Sequence, residues 1–446
     1  MARFMQFHDP ELSIWQAAVG EVEARRPAGA QVQDLGAEPA VAGRPDELDT
    51  MSAEALSYCL QVANGATLTD AAAVHPATES LVQTIGLCSL TALKLAKAVI
   101  ADNAADKQRY GDELKQFGGC DPRYAEASAL YAAYFVAQQK QIPYIVYKNL
   151  GDFVIDNKLP AVAKVAIVGD WGTGQNAAKL VLRQIANKNP DVVIHLGDIY
   201  FAGTQFEVNN YFSKLWQQIL NLAQKPIPTF TLAGNHDMYS GGVAYYNLLK
   251  TLGQPASYFS LRNANWQFVA MDTGYNDHNP SSAGEGATYL QDSEVEWLTD
   301  KVNNAGGRRT VLLSHHQLLT AFDSINGNEL NLRLYPQVAP LLPKVTLWIW
   351  GHEHNFVLYD AYKTLARSCC LGHGAFPVGQ YEVPAQPKYA DVPLRKDANG
   401  NNIVLGTTAG LYNHGYAIIE LSGAEGKISY YQDSEEDNPM FQESLT

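Results

Sequence analysis

The sequence is short of cysteine, short of charge and without a long apolar run, and each shortage removes a class of protein. Cysteine occurs five times in 446 residues, at Cys59, Cys88, Cys120, Cys369 and Cys370, with no Cys-x-x-Cys pair. An odd, scattered set describes neither a disulfide framework nor a zinc knuckle, and points to reduced, mostly buried thiols. On a strand, the adjacent Cys369 and Cys370 point to opposite faces. No apolar stretch is long enough to span a bilayer, so no transmembrane segment is expected. Met1 to Trp15 carries no apolar core of signal-peptide length. The expected location is cytoplasmic, or outside the cell by a route that needs no classical signal peptide.

Charged residues make up only 17% of the chain, against 46% hydrophobic ones. That balance suits a sizeable packed core and excludes intrinsic disorder. Acidic residues outnumber basic ones by 46 to 32, a formal net charge of −14. Such a surface repels a phosphate backbone at long range, which disfavours a nucleic-acid polymer as partner. A small phosphorylated substrate stays compatible, because a metal pair can reverse the field inside a cleft. The length exceeds one typical domain, and nothing in the chain indicates an oligomeric state.

Residues 1–140 read as a helical accessory region. Glu11 to Arg26 holds good helix formers and stops at Pro27, and residues 27–47 read as a loop. Ala77 to Ala101 reads as a buried helix, and Asp121–Pro122 as the opening of another through Gln139. No chemistry is visible there, and His8 and His75 are incidental.

The texture changes at Ile142. Six strand-length apolar runs follow, at Val162–Val168, Asp191–Leu196, Pro228–Ala233, Trp266–Met271, Thr310–Ser314 and Val345–Trp350, each ending in polar residues. Between them Gln175–Asn187, Phe206–Ala223 and Asp292–Asn304 carry helical periodicity. The pattern is layered α/β, with polar residues at strand C-termini, where such sheets place ligand clefts. After Leu365 the pattern turns to strands, with Tyr416–Leu421 and Lys427–Gln432 joined by a Ser-Gly-Ala-Glu-Gly hairpin with a longer loop. Residues 141–432 form one domain on this reading, residues 376–402 within it a surface loop, and residues 433–446 a frayed acidic tail.

The strand ends supply two Asp, one Asn carbonyl and three His: Asp170, Asp198, Asn235, His315, His352 and His354. Hard oxygen donors with neutral imidazoles are what a pair of metal ions about 3.5–4 Å apart requires to clamp a phosphate and acidify a water. Glycine precedes Asp170, Asp198, Asn235 and His352, and lets the backbone turn sharply there.

Five ordered blocks, GDWG (169–172), GDIY (197–200), GNHD (234–237), LSHH (313–316) and GHEH (351–354), resemble the motifs of the calcineurin-like metallophosphoesterase superfamily. The GDxG form of the first block is similar to that of purple acid phosphatases. The resemblance covers roughly residues 160–432. It implies a layered α/β/β/α sandwich, with the N-terminal region added to it. It implies two metal ions (Fe, Mn or Zn), with Asp170 and His354 on metal 1, Asp198 bridging, and Asn235, His315 and His352 on metal 2. His316 is the alternative to His315. His236 resembles the catalytic histidine that binds phosphate and protonates the leaving oxygen, with Asp237 orienting it and raising its pKa. The nucleophile implied is a metal-bound hydroxide.

One departure concerns metal 1. Purple acid phosphatases carry a tyrosine ligand three residues after the bridging Asp, and here that position is Phe201, with Tyr200 one place earlier. Tyr200 is a ligand only if the loop after Asp198 is bulged or shortened to re-aim it. Among secondary candidates, His373 and His414 line the substrate mouth or are structural. Glu353 is solvated, and His316 contacts substrate or supports a ligand. Asp272 fixes a loop, and Tyr239, Tyr245, Tyr246 and Tyr275 pack loops rather than form a rim. The function expected is phosphomonoester hydrolysis. Its rivals are a phosphodiesterase acting on nucleotides, cyclic nucleotides or phospholipid head groups, and a non-catalytic interaction module on the same fold.

Overall fold

The computed structural model describes residues 138–220, 226–280, 286–379, 383–408 and 410–445, with a few positions between 127 and 135. The chain divides into two compact units, Met1–Gln141 and Ile142–Thr446. The expected helices at 11–26, 77–101 and 122–139, the 27–47 loop, and Cys59, Cys88 and Cys120 lie outside the described residues or nearly so. The second unit is described here.

In chain order its strands begin with β1 (Val154–Ile155), β2 (Val162–Val168), β3 (Val192–His195), β4 (Thr229–Thr231) and β5 (Phe259–Arg262). Next come β6 (Trp266–Ala270), β7 (Arg309–Leu313), β8 (Val345–Trp350), β9 (Phe356–Tyr359) and β10 (Ser368–Leu371). The last are β11 (Thr407–Thr408), β12 (Leu411–Tyr412), β13 (Gly415–Ser422), β14 (Glu425–Gln432) and β15 (Phe441–Ser444). One sheet has the order β1-β5-β6-β7-β8-β10-β9, the other β15-β14-β13-β2-β3-β4, and β11 and β12 form a small ribbon. The strands bearing the motifs run parallel: β2 with β3, β3 with β4, β6 with β7, and β7 with β8. Every motif therefore opens at the same edge of its sheet.

The helices cover the outer faces. They are α1 (Asn176–Asn187), α2 (Lys214–Leu220), α3 (Val243–Leu252) and α4 (Asp292–Asn303), with shorter turns between. In α1, Ala178, Val181, Leu182 and Ile185 recur at helical spacing and are buried. The core falls into three clusters that define the layers. One lies between the sheets and joins Val165, Ile167 and Ile194 to Phe268, Val311 and Ile349. A second sets Trp297, Leu298 and Val302 of α4 against Val269, Leu312 and Trp348. A third sets α1 and α2 against Ala166, Val168 and Val193. This is the expected α/β/β/α sandwich. Cys369 falls in the first cluster and Cys370 in the second, the two faces that strand alternation requires.

Three expectations need correction. The tail is not frayed: β15 pairs antiparallel with β14, and Leu445 is buried in the core between the sheets. Its polar composition hid a strand because an edge strand buries few of its side chains. The hairpin loop is shorter than its five-residue signal, because Ser422 pairs with Glu425. Only Gly423 and Ala424 remain to turn, and Gly423 takes the positive φ of 60° that such a tight turn needs. Finally, the helical stretch expected from Phe206 is not uniform. A capped turn at Gln205–Glu207 passes through a π-helical segment, Val208–Ser213, into α2.

Candidate metal centre

Three of the motif residues are held in a left-handed backbone conformation that side chains other than glycine rarely adopt. Asp170 has φ 54°, Asp198 φ 75° and His352 φ 65°. Such positions cost on the order of 1–3 kcal/mol each and concentrate at functional sites. Here the turn swings each side chain off its strand and into one cleft. The preceding glycines make room: a Cβ on Gly234 would overlap the Asp198 carboxylate, and one on Gly351 the Asp170 carboxylate.

Two groups of donors result. In the first, Asp170 Oδ1 lies 3.5 Å from His354 Nε2, and the Tyr200 hydroxyl lies 3.0 Å from Asp170 Oδ1 and 2.9 Å from His354 Nε2. The tyrosine is thus re-aimed into the cluster. The turn at Gly197 and Asp198, both at positive φ, breaks the strand alternation that would have turned it away. Phe376 stacks on the His354 ring at 3.7 Å and fixes its plane.

In the second group, Asn235 Oδ1 faces His315 Nε2 at 3.0 Å and His352 Nδ1 at 3.1 Å. His315 Nε2 also lies 3.3 Å from Asp198 Oδ1. The other nitrogen of His315 faces the Leu196 carbonyl at 3.0 Å. With Nδ1 turned to that carbonyl, Nε2 is the nitrogen aimed at the cluster. His316 is also near, but its Nδ1 faces Thr273 Oγ1 at 3.0 Å and its Nε2 faces Asp277 Oδ2 at 2.9 Å. The partners of His316 are thus Thr273 and Asp277, whereas His315 Nε2 faces the candidate ligands Asn235 and Asp198.

Asp198 sits between the groups and is buried, and its Oδ2 has no hydrogen-bond partner. An unpaired buried carboxylate oxygen is costly unless something cationic meets it. Burial works against the charged form of Asp198, yet the His315 and His236 imidazoles hold it well below the usual carboxylate range. Burial also lowers His315, but the Asp198 carboxylate outweighs it and holds the imidazole up at about 9. A field that raises proton affinity there is a field for cations. The donor set of carboxylate, amide carbonyl, imidazole and phenol oxygen fits two hard or borderline metal ions. Asp170, Asp198 and His354 form one metal-compatible group, and His315, His316 and His352 another.

His236 lies beside Asp198, with Nε2 4.0 Å from Oδ2. Its Nδ1 faces the Phe201 carbonyl at 2.7 Å. The expected role of Asp237 is therefore wrong in its contacts. The Asp237 carboxylate instead accepts from the backbone N–H groups of Asp198 at 3.0 Å, Ile199 at 3.2 Å and Gly234 at 2.9 Å. It ties two motif loops together, and the Phe201 carbonyl orients His236. Nor is the His236 pKa raised: burial pulls it down more than Asp198 lifts it. The aspartate next in sequence points the other way because the chain forms a helical turn over Asn235–Met238.

The secondary candidates resolve by burial. Glu353 is buried rather than solvated, and burial pushes its carboxyl up to about 8. His373 and His414 are both buried, the first packed on Phe356. Asp272 accepts from the Tyr275 N–H at 2.9 Å and so fixes a loop. The Tyr245 hydroxyl donates to the Thr231 carbonyl, Tyr246 meets Ser257 and Asp272, and Tyr275 packs on Tyr144. The Asn235 amide donates to the Tyr239 hydroxyl, which places that tyrosine behind a candidate ligand. Sequence reasoning passed over Asp277, Thr273 and Phe376, which touch the site from loops without a motif.

Residues 163–356 match the family model described as calcineurin-like phosphoesterase. Comparison with curated protein sequences finds no match. Among solved structures, the chain is similar to a dimetal phosphatase from Danio rerio, at 12% identity and TM-score 0.41, covering 64% of this chain and 98% of that one. It is also similar to GAP50, the anchor in the inner membrane complex of Plasmodium, at 13% identity and TM-score 0.40, covering 64% and 89%. Both resemblances are too distant to carry an argument. The order of the motifs, the sandwich and the matched model agree, and residues 163–356 carry a calcineurin-like phosphoesterase domain.

Proposed function

We propose that this protein hydrolyses phosphomonoesters at a centre of two metal ions. The observation that carries the reading is the convergence of six motif residues on one cleft, with the buried Asp198 Oδ2, which has no hydrogen-bond partner, between the two donor groups. Asp170, His354 and Tyr200 would hold one metal, Asn235, His315 and His352 the other, and Asp198 would bridge. The metals would supply charge to the phosphate and an acidified water. His236 presents Nε2 to the cleft, because its Nδ1 is committed to Phe201. From there it binds a phosphate oxygen and holds the proton for the leaving group. Asp237 holds the Asp198 and Gly234 loops in register. His316, fixed by Asp277 and Thr273, supports the wall beside His352, whose ring lies 4.3 Å away. Tyr200 in the first group favours a ferric ion there, as in a purple phosphatase.

The test is metal analysis of the purified protein with a panel of phosphate mono- and diesters. Monoester turnover with about two bound metals per chain is expected. A diester preference moves the reading to the phosphodiesterase alternative, and no turnover with iron, manganese or zinc overturns it in favour of an interaction module. His236→Ala should keep its metal and lose about 10²–10⁴-fold in kcat. Unchanged turnover in that variant would remove the acid role. The chain as a whole is read as residues 1–140 added to a catalytic region from 141 onward. No helix among the described residues is long and apolar enough to cross a membrane.

A further inference from the structure

A second cleft, lined by none of the motif residues, opens between α1 and α2. Its volume is about 520 Å³. Lys179 and Arg183 reach it from α1, one helical turn apart and so on one face. Lys214 reaches it from the first position of α2, with Asn210, Tyr211 and Gln218 alongside. No carboxylate is among its described lining residues. That is unexpected in a chain of net charge −14, where a random surface cation more often has an acidic neighbour. Arg183 and Lys214 are exposed, and the Lys179 ammonium has only the Asn176 amide oxygen at 3.4 Å. Three cations lining one cleft, with no carboxylate among its described lining residues, repel one another, and an anion between them relieves that repulsion.

We infer that this cleft binds a small anion carrying two or more phosphate groups. The guanidinium of Arg183 offers a planar fork to phosphate oxygens, and the two ammonium groups offer point charges. The amide and hydroxyl groups add neutral donors. The volume lies in the range of small-ligand sites, roughly 300–1,000 Å³. Behind the lining residues Tyr211 and Leu215, their chain neighbours Phe212 and Trp216 pack edge-on against Trp171 at 5.9 Å and 4.9 Å. Gly174, which lines the cleft, has φ 72°, and an added Cβ there would strike the Tyr211 ring. None of the candidate metal-centre residues lines the cleft.

The probe is methylenediphosphonate, a diphosphate analogue that resists hydrolysis, titrated calorimetrically into the full chain at low salt. Wild type is compared with a Lys179→Gln, Arg183→Gln, Lys214→Gln variant, and each is repeated with Asn235→Ala to impair the metal centre. Saturable binding that survives Asn235→Ala and weakens at least about tenfold in the triple variant is expected. Thermal melting of the triple variant should match wild type, since the side chains replaced are mostly exposed. Binding that is abolished by Asn235→Ala alone, or is unchanged in the triple variant, overturns the inference. Citrate binding as tightly as the diphosphonate overturns the phosphate specificity.

Discussion

The proton on His236 is directed by a backbone carbonyl. Its Nδ1 faces Phe201 O, which leaves Nε2 for the cleft. Asp237 has a different task, accepting three buried backbone N–H groups. Asp237→Asn would turn an amide donor toward those donors, and a buried unsatisfied group costs about 1–3 kcal/mol. The expected result is a clear fall in melting temperature, with the shape of the activity–pH profile retained. A shifted profile with unchanged stability would restore the orienting role. Tyr200 carries a second prediction at this scale. If it ligates a ferric ion, the protein absorbs broadly in the visible, and Tyr200→Phe bleaches that band while leaving the fold intact. An iron-loaded wild type without the band would remove Tyr200 from the ligand set.

At the scale of elements, β2, β3 and β8 each end where a glycine and a left-handed residue turn the chain into the cleft. The apolar runs are legible because buried parallel strands are apolar on both faces. The strand at the C-terminal edge was not legible. In Phe441–Ser444 burial never reaches both faces, so polar residues fill it. Its anchor is Leu445, which is buried between the sheets. The Glu443 carboxylate meets Arg395 at 2.7 Å and Arg367 at 3.8 Å. Leu445→Ala should therefore destabilise the domain by roughly 2–4 kcal/mol, read from denaturant unfolding. A frayed tail would give no change.

For the whole molecule, the sandwich buries carboxyl groups, Asp272 and Glu294 among them. Burial pushes Asp272 up to about 6. Burial, and then Asp272 itself, hold the nearby Glu294 well above the usual range. The Asp272 N–H donates to Glu294 Oε1 at 2.8 Å, and the Tyr144 hydroxyl donates to Oε2 at 2.7 Å. An acid whose folded pKa lies above its unfolded value binds more protons when folded. Its stabilising contribution is present below the unfolded value and is lost as pH rises through the folded one. For Asp272 that window runs from about 4 to about 6, and the loss is on the order of 3 kcal/mol. Asp272→Asn should flatten the decline in unfolding free energy between pH 4 and about 6.5 relative to wild type. Parallel curves for the two proteins would show that Asp272 does not titrate there.

The sequence by itself determined the class of chemistry. Six motif residues at the ends of apolar runs need only local order to be recognised, because both the runs and the glycines beside them are local features. It also determined the α/β layering, since periodicity is a property of neighbouring residues. Tertiary structure decided what depends on direction. The turn at Asp198 aims Tyr200 at Asp170 and His354. The helical turn at Asn235–Met238 sends Asp237 to the backbone and leaves His236 to Phe201. Glu353 is buried, with Thr320 and Tyr359 beside its carboxyl, although its motif places it among polar residues. Loops with no motif bring Asp277, Thr273 and Phe376 to the site, and a side chain's neighbours across space leave no trace in its spacing along the chain.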